Sequence, residues 1–148
     1  MQIKFRKIHP DAKIPERGSA LAGGWDVTCT EIIQESPDFV ICKLGFALQP
    51  DRRFKITLVP RSSLTKTKWI LQNSPGLGDA DYLGEYQYRF RALPEGFGMI
   101  SGYSSGFKDT PTLTYPKFPY NVGDRIGQIY LEEVIPMDFI EVDELTET

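Results

Sequence analysis

The side chains able to do chemistry fall in a few short stretches of this sequence. Asp79 and Asp81 stand in a glycine-punctuated run, GLGDADYLGE. A carboxylate there can draw a proton from water or, as aspartates in glycine-rich loops often do, bond its own backbone. Upstream, PRSSL (Pro60–Leu64) offers Arg61 with Ser62 and Ser63 beside it. A guanidinium gives two parallel charge-assisted hydrogen bonds to phosphate oxygens, and its plainer alternative is a salt bridge. Asn73 carries an amide that both donates and accepts, yet ahead of Ser-Pro it serves equally well as a loop residue. Tyr82 precedes a strand-like segment, the usual setting of a core or rim tyrosine. Asp26 in AGGWDV and Gln128 in GDRIGQI complete the set. His9, the only histidine, stands beside Pro10 and excludes Ser-His-Asp and Cys-His catalysis unless it serves itself. Cys29 and Cys42 are too few for a disulfide framework and have no zinc-ligand spacing, so they read as small core residues.

The elements that position these groups repeat with a period of two. Ile3 and Phe5 alternate with Gln2, Lys4 and Arg6, and Tyr86, Tyr88, Phe90 and Ala92 alternate with Gln87, Arg89 and Arg91, the mark of half-buried strands. Further strands are predicted at Trp25–Thr30, Phe39–Lys43, Phe54–Val59, Lys68–Leu71, Arg125–Glu132 and Phe139–Val142. Turn signals such as ESPD, QPDR, NSPG and NVGD separate them. Only Ser62–Thr65 suggests a helical turn. Many short strands between regular turns predict an all-β barrel or jelly-roll-like sandwich. Pro94–Tyr120, rich in glycine, proline and aromatics, reads as a long excursion from the sheet without regular structure, of the kind that is often functional.

With 148 residues, 41% hydrophobic and 25% charged, the chain is expected to be one soluble domain. No apolar run approaches a membrane span, and MQIKFRKIHP has no apolar stretch of a secretory signal behind it, so cytoplasmic residence is the default expectation. A net charge of −3 argues against a duplex-binding face, and long nucleic acid is not an expected partner.

Taken together, AGGWDV (Ala22–Val27), PRSSL, NSPGLGDADYLGE (Asn73–Glu85) and GDRIGQI (Gly123–Ile129) resemble, in order and spacing, the motifs of the trimeric dUTPases. The resemblance implies a jelly-roll-like distorted β-barrel assembled as a homotrimer with sites between subunits. It also implies hydrolysis of dUTP to dUMP and pyrophosphate with Mg²⁺ as cofactor. On that match Asp79 is the general base for a water attacking the α-phosphate, and Asp81 is structural. Tyr82 packs against the deoxyribose and leaves no room for a 2′-hydroxyl. Asn73 contacts the base, and the strand after Glu85 offers backbone amides to the uracil edge. Arg61, Ser62 and Gln128 bind phosphate, and Ser63 and Gly76 fall within the same substrate-binding segments. Asp124 and Arg125 hold the start of their strand together. Asp26 stands near magnesium, touching it through water at most.

The chain departs from the family's pattern at Trp25, Gly78 and Leu83, none of which removes a group the reaction needs. In place of a glycine-rich closing arm with arginine and phenylalanine it reads IEVDELTET. That difference motivates a second reading, a dUTPase-like nucleotide-binding or regulatory protein with little turnover. A dCTP deaminase on the same fold is a third, against which DADY speaks. The Pro94–Tyr120 excursion, whose core from Glu95 to Gly102 echoes the missing arm, is a candidate lid, with a trimer-contact or solvent-exposed loop as the alternative.

Overall fold

The computed structural model describes residues 2–100 and 110–146. Among them the strands are β1 (Lys4–Lys7), β2 (Glu16–Arg17), β3 (Trp25–Thr28), β4 (Glu31–Ser36), β5 (Phe39–Lys43), β6 (Phe46–Gln49) and β7 (Phe54–Pro60). After a 3₁₀ turn, Ser62–Lys66, come β8 (Trp69–Leu71), β9 (Gly76–Gly78), β10 (Gln87–Ala92), β11 (Gly96–Ile100), β12 (Thr110–Thr114) and β13 (Arg125–Glu133). All pair antiparallel, in a five-stranded sheet ordered β2-β3-β13-β7-β9, a four-stranded sheet ordered β4-β5-β10-β8, and the pairs β1-β6 and β11-β12. This is the predicted all-β, jelly-roll-like distorted barrel.

Side chains of the two larger sheets meet in one core. From β10 come Tyr88 and Phe90, from β5 Val40 and Cys42, from β7 Ile56 and Leu58, and from β3 and β13 Val27, Ile126 and Ile129. The alternation of β10 is as the sequence predicts: Tyr88, Phe90 and Ala92 are buried while Arg89 faces out. Gly127 is where the sheets press closest, because a Cβ there would sit 2.1 Å from the Tyr88 ring. The Tyr88 hydroxyl then donates to the Gln128 carbonyl oxygen at 2.7 Å and ties β10 to β13. Burial pushes that phenol's pKa far up, so it stays a neutral donor. Cys29 and Cys42 are free and buried, as expected of core residues.

Three expectations differ from the structure. The excursion holds a hairpin, with β11 against β12 and Phe97 opposite Leu113, and residues 101–109 of the segment lie outside the described residues. Phe139–Val142 is not a strand: Phe139 and Ile140 are almost wholly exposed and the segment pairs with no strand among the described residues. Glu31–Ser36, Phe46–Gln49 and Gly76–Gly78 are strands that the alternation did not reveal. The first is an edge strand with a register shift between Gln34 and Ser36, and the last is mostly glycine.

Candidate active site

The register of β13 creates one cluster. Gln128 lies opposite Asp26 of β3, and Gly127 lies opposite Pro60 at the end of β7, which delivers Arg61 to the same place. Asp26 is buried at 6% exposure and accepts from Arg125 Nη1 at 2.9 Å and Gln128 Nε2 at 3.1 Å. Arg61 Nε stands 3.5 Å from the other side of the same carboxylate, and Arg61 Nη1 donates to the Arg125 carbonyl oxygen at 3.3 Å. Two guanidiniums therefore surround one carboxylate, leaving an excess positive charge beside a polar amide, the requirement for an anion cradle. Ser62 and Ser63 sit exposed at the start of the adjoining 3₁₀ turn, where the first N–H groups have no helical partner. Asp124 accepts from the Asn121 N–H at 2.7 Å and holds the start of β13 as expected.

Arg125 also joins this cluster, and Asp26 engages its oxygens with Arg125, Gln128 and Arg61. A carboxylate so engaged does not fit a direct magnesium ligand, and among the described residues no group of three or more His, Cys, Asp or Glu is arranged to hold a metal.

A second site lies between β9 and β10, a pocket of about 230 Å³ lined by Leu58, Asn73, Gly76, Leu77, Tyr82, Tyr86, Gln87 and Arg89. Asn73 Oδ1 accepts the Arg89 N–H at 3.1 Å, which fixes the amide and leaves Nδ2 as the free donor. Arg89 also accepts the Gln72 N–H on that edge at 2.7 Å. Backbone groups alternate sides along a strand, so the N–H and C=O of Gln87 face the same edge, beyond the end of β8 and toward the pocket. Gly76 keeps the opposite wall thin, since a Cβ there would come within 3.2 Å of Leu58 and of the Asn73 carbonyl.

Tyr82 closes the pocket's rim. Its N–H bonds the Asp79 carbonyl oxygen at 3.1 Å in a turn, and its hydroxyl donates to the Glu85 carbonyl oxygen at 3.0 Å. Gly84 makes this folding-back possible, because any Cβ there would meet the Tyr82 ring at 2.7 Å. The ring stands edge-on to Tyr86, with centroids 5.4 Å apart. Tyr86 is buried under Gly78, its hydroxyl has no hydrogen-bond partner among the described residues, and burial, Tyr82 and Asp79 push its pKa up to about 12. Asp79 is exposed at the far side of this turn, on a cleft of about 570 Å³ that it shares with Arg52, Lys55 and Asp81.

The fold thus brings Asn73, Gly76 and Tyr82 together with Asp79 one turn away, and separately unites Arg61, Asp26 and Gln128. It does not join the two sets: β13 and β7 lie between Asp26 on β3 and Gly78 on β9, roughly 14 Å at ~4.8 Å per strand. The sequence reading missed Arg89 and Tyr86 as lining residues. Arg89's outward place in the β10 alternation was the available signal.

No protein-family model matches the chain. The deoxyuridine 5′-triphosphate nucleotidohydrolase of Helicobacter pylori strain 26695 is 31% identical over 150 residues, spanning 100% of this chain and 90% of that protein. The chain belongs to this family. The Wolinella succinogenes member is 30% identical over 150 residues, spanning 100% of this chain and 87% of that one. Among solved structures, the dUTPase of Staphylococcus bacteriophage 80alpha with dUPNHPP superposes with a TM-score of 0.76 at 17% identity, covering 99% of this chain and 90% of that one. A mutant dUTPase from phage phi11 of S. aureus, described for its coordination of a structural Mg(II) ion, superposes at 0.73 and 17% identity over 99% and 100% of the two chains. These two share the fold.

Proposed function

We propose that the protein hydrolyses dUTP to dUMP and pyrophosphate; its relatives are named for hydrolysis of deoxyuridine 5′-triphosphate. The observation that carries the reading is a pocket shaped for one nucleoside, with a strand-edge N–H and C=O from Gln87 and a fixed amide from Asn73, one turn away from the Asp79 carboxylate. A donor next to an acceptor on one backbone matches a uracil carbonyl and its ring N–H. Tyr82, pinned by Glu85 and backed by Tyr86, supports the flat side of the sugar and crowds a 2′-hydroxyl. Asp79 takes a proton from water as its oxygen bonds the α-phosphorus; the bond to the bridging oxygen breaks and pyrophosphate leaves. Arg61, Gln128 and the exposed Ser62 and Ser63 hold the phosphate oxygens. A magnesium ion on those phosphates would be held by them and by water and would offset their charge.

Since the two sets of groups stand apart on one chain, the complete site combines copies of the chain, in keeping with a homotrimer. The exposed apolar run Val134, Ile135, Met137, Phe139, Ile140 and Val142 supports the same reading, because such a run is covered in a stable assembly. Among the described residues no helix is long and apolar enough to cross a membrane. Incubation with dUTP and with dCTP, each with Mg²⁺, tests the activity. Pyrophosphate from dUTP is the expected result, whereas ammonia from dCTP, or tight binding without product, overturns it. Sedimentation tests the assembly, and an active monomer would sink it.

A further inference from the structure

Two arginines of β10 face outward, and only one has a partner. Arg91 pairs with Asp38 at 2.5 Å, donates to Gln72 Oε1 at 3.2 Å and lies over the Phe39 ring at 4.9 Å. Arg89 is held as firmly by its backbone, through Asn73 Oδ1 and the Gln72 N–H, but it is an exposed residue of the pocket lining and its guanidinium has no hydrogen bond or ion pair among the described residues. A guanidinium is a donor only, and it remains charged at any working pH. No carboxylate lines this pocket to neutralise it.

The wall therefore carries a charged donor with no carboxylate beside it. Its donors include Gln87 N–H, Asn73 Nδ2 and Arg89, and the Gln87 carbonyl is an acceptor on the same edge. A 2,4-dioxopyrimidine presents carbonyl, N–H, carbonyl along its edge, which calls for donors flanking an acceptor. A 4-aminopyrimidine sets an amino group where a carbonyl would be, and a donor facing it is left unpaired. Resting on the dUTP reading above, we propose that Arg89 is a base-specificity residue that donates to the exocyclic 4-carbonyl of the pyrimidine, the group that the 4-aminopyrimidine lacks, and thereby rejects its amino counterpart.

Affinities of dUMP, dCMP and deoxyuridine for the full chain, its Arg89→Met variant and its Arg89→Lys variant test this by titration calorimetry, with competition for the weak nucleoside. Being exposed, Arg89 can be replaced without a change in melting temperature. Arg89→Met is expected to weaken dUMP about tenfold, the worth of one hydrogen bond from a charged donor, and dCMP less than twofold, with Arg89→Lys intermediate. Deoxyuridine should weaken as much as dUMP, because the contact is to the base. An unchanged ratio of dUMP to dCMP affinity overturns the proposal. So does a loss for dUMP without one for deoxyuridine, which would move the contact to the phosphate. Failure of the unmodified protein to bind dUMP would instead remove the dUTP reading itself.

Discussion

The Asp26 cluster, proposed to hold phosphate, and the pocket beside β10, proposed to hold the nucleoside, sit on the same barrel but are finished to different degrees. In the cradle every charged group already has a partner: Asp26 holds Arg61, Arg125 and Gln128 in place before any ligand arrives. In the pocket the backbone is fixed while Arg89, Asn73 Nδ2 and the edge of Gln87, with Asp79 on the neighbouring cleft, have no side-chain partner among the described residues. On the proposed reading, specificity is built in the second region. Phosphates are common to all nucleotides, so a preassembled charge arrangement suffices for them, whereas base and sugar must be chosen by groups that gain partners only from the right ligand.

That contrast breaks first at Asp79. Asp79→Asn keeps the shape of an exposed turn residue, so nucleotide affinity and melting temperature should hold while turnover falls at least ~100-fold, the usual cost of losing a general base. Steady-state rates with dUTP check it, and turnover within threefold of the parent would take Asp79 out of the mechanism. In the cradle the equivalent lesion acts on structure. Asp26→Asn removes the charge that holds two guanidiniums together and should cost about 2 kcal/mol, a loss of roughly 4–8 °C in melting temperature, because Arg61 and Arg125 are themselves partly solvated. KM should rise with it. A variant with unchanged melting temperature would show that the cradle assembles without its carboxylate.

Tyr82→Ala sharpens the comparison on the pocket side. The ring's position depends on the Glu85 carbonyl and the edge of Tyr86 rather than on a ligand, so its removal opens space for a ribose hydroxyl without unfolding the turn. The preference for dUTP over UTP should narrow about tenfold in kcat/KM, in the range that pocket shape alone supplies. A mutant as selective as the parent would place sugar discrimination elsewhere.

The barrel's character and much of the site were readable in advance because both rest on local patterns. The alternation from Tyr86 to Ala92 announces a half-buried strand, and the glycines around Asp79 announce a tight turn that carries a carboxylate. What could not be read depends on register and on partners. Arg125 reaches Asp26 only because β3 and β13, about a hundred residues apart, pair with Gln128 opposite Asp26. The β11-β12 hairpin escaped notice because glycines and prolines interrupt any alternation there. Phe139–Val142 has strand composition but pairs with no strand among the described residues and stands exposed, so alternation alone misleads there.

The smallest effect is expected at Tyr86, beneath the pocket. Its hydroxyl is buried without a partner among the described residues, which ordinarily costs stability, and it occupies the space that a side chain at position 78 would fill: a Cβ on Gly78 would lie 2.2 Å from that oxygen. Tyr86→Phe deletes the oxygen while retaining the ring that backs Tyr82. If the hydroxyl serves nothing, the variant should melt at the same temperature or about 2 °C higher, with kcat and KM for dUTP within twofold of the parent. Gly78→Ala should then be better tolerated in the Tyr86→Phe background than alone, because the nearest obstacle has gone, and a double-mutant cycle of melting temperatures reads that coupling. A clear loss of stability in Tyr86→Phe would mean that the hydroxyl gains a partner in the assembled protein, and a fall in kcat at constant stability would tie it to the neighbouring Asp79, whose charge already reaches it.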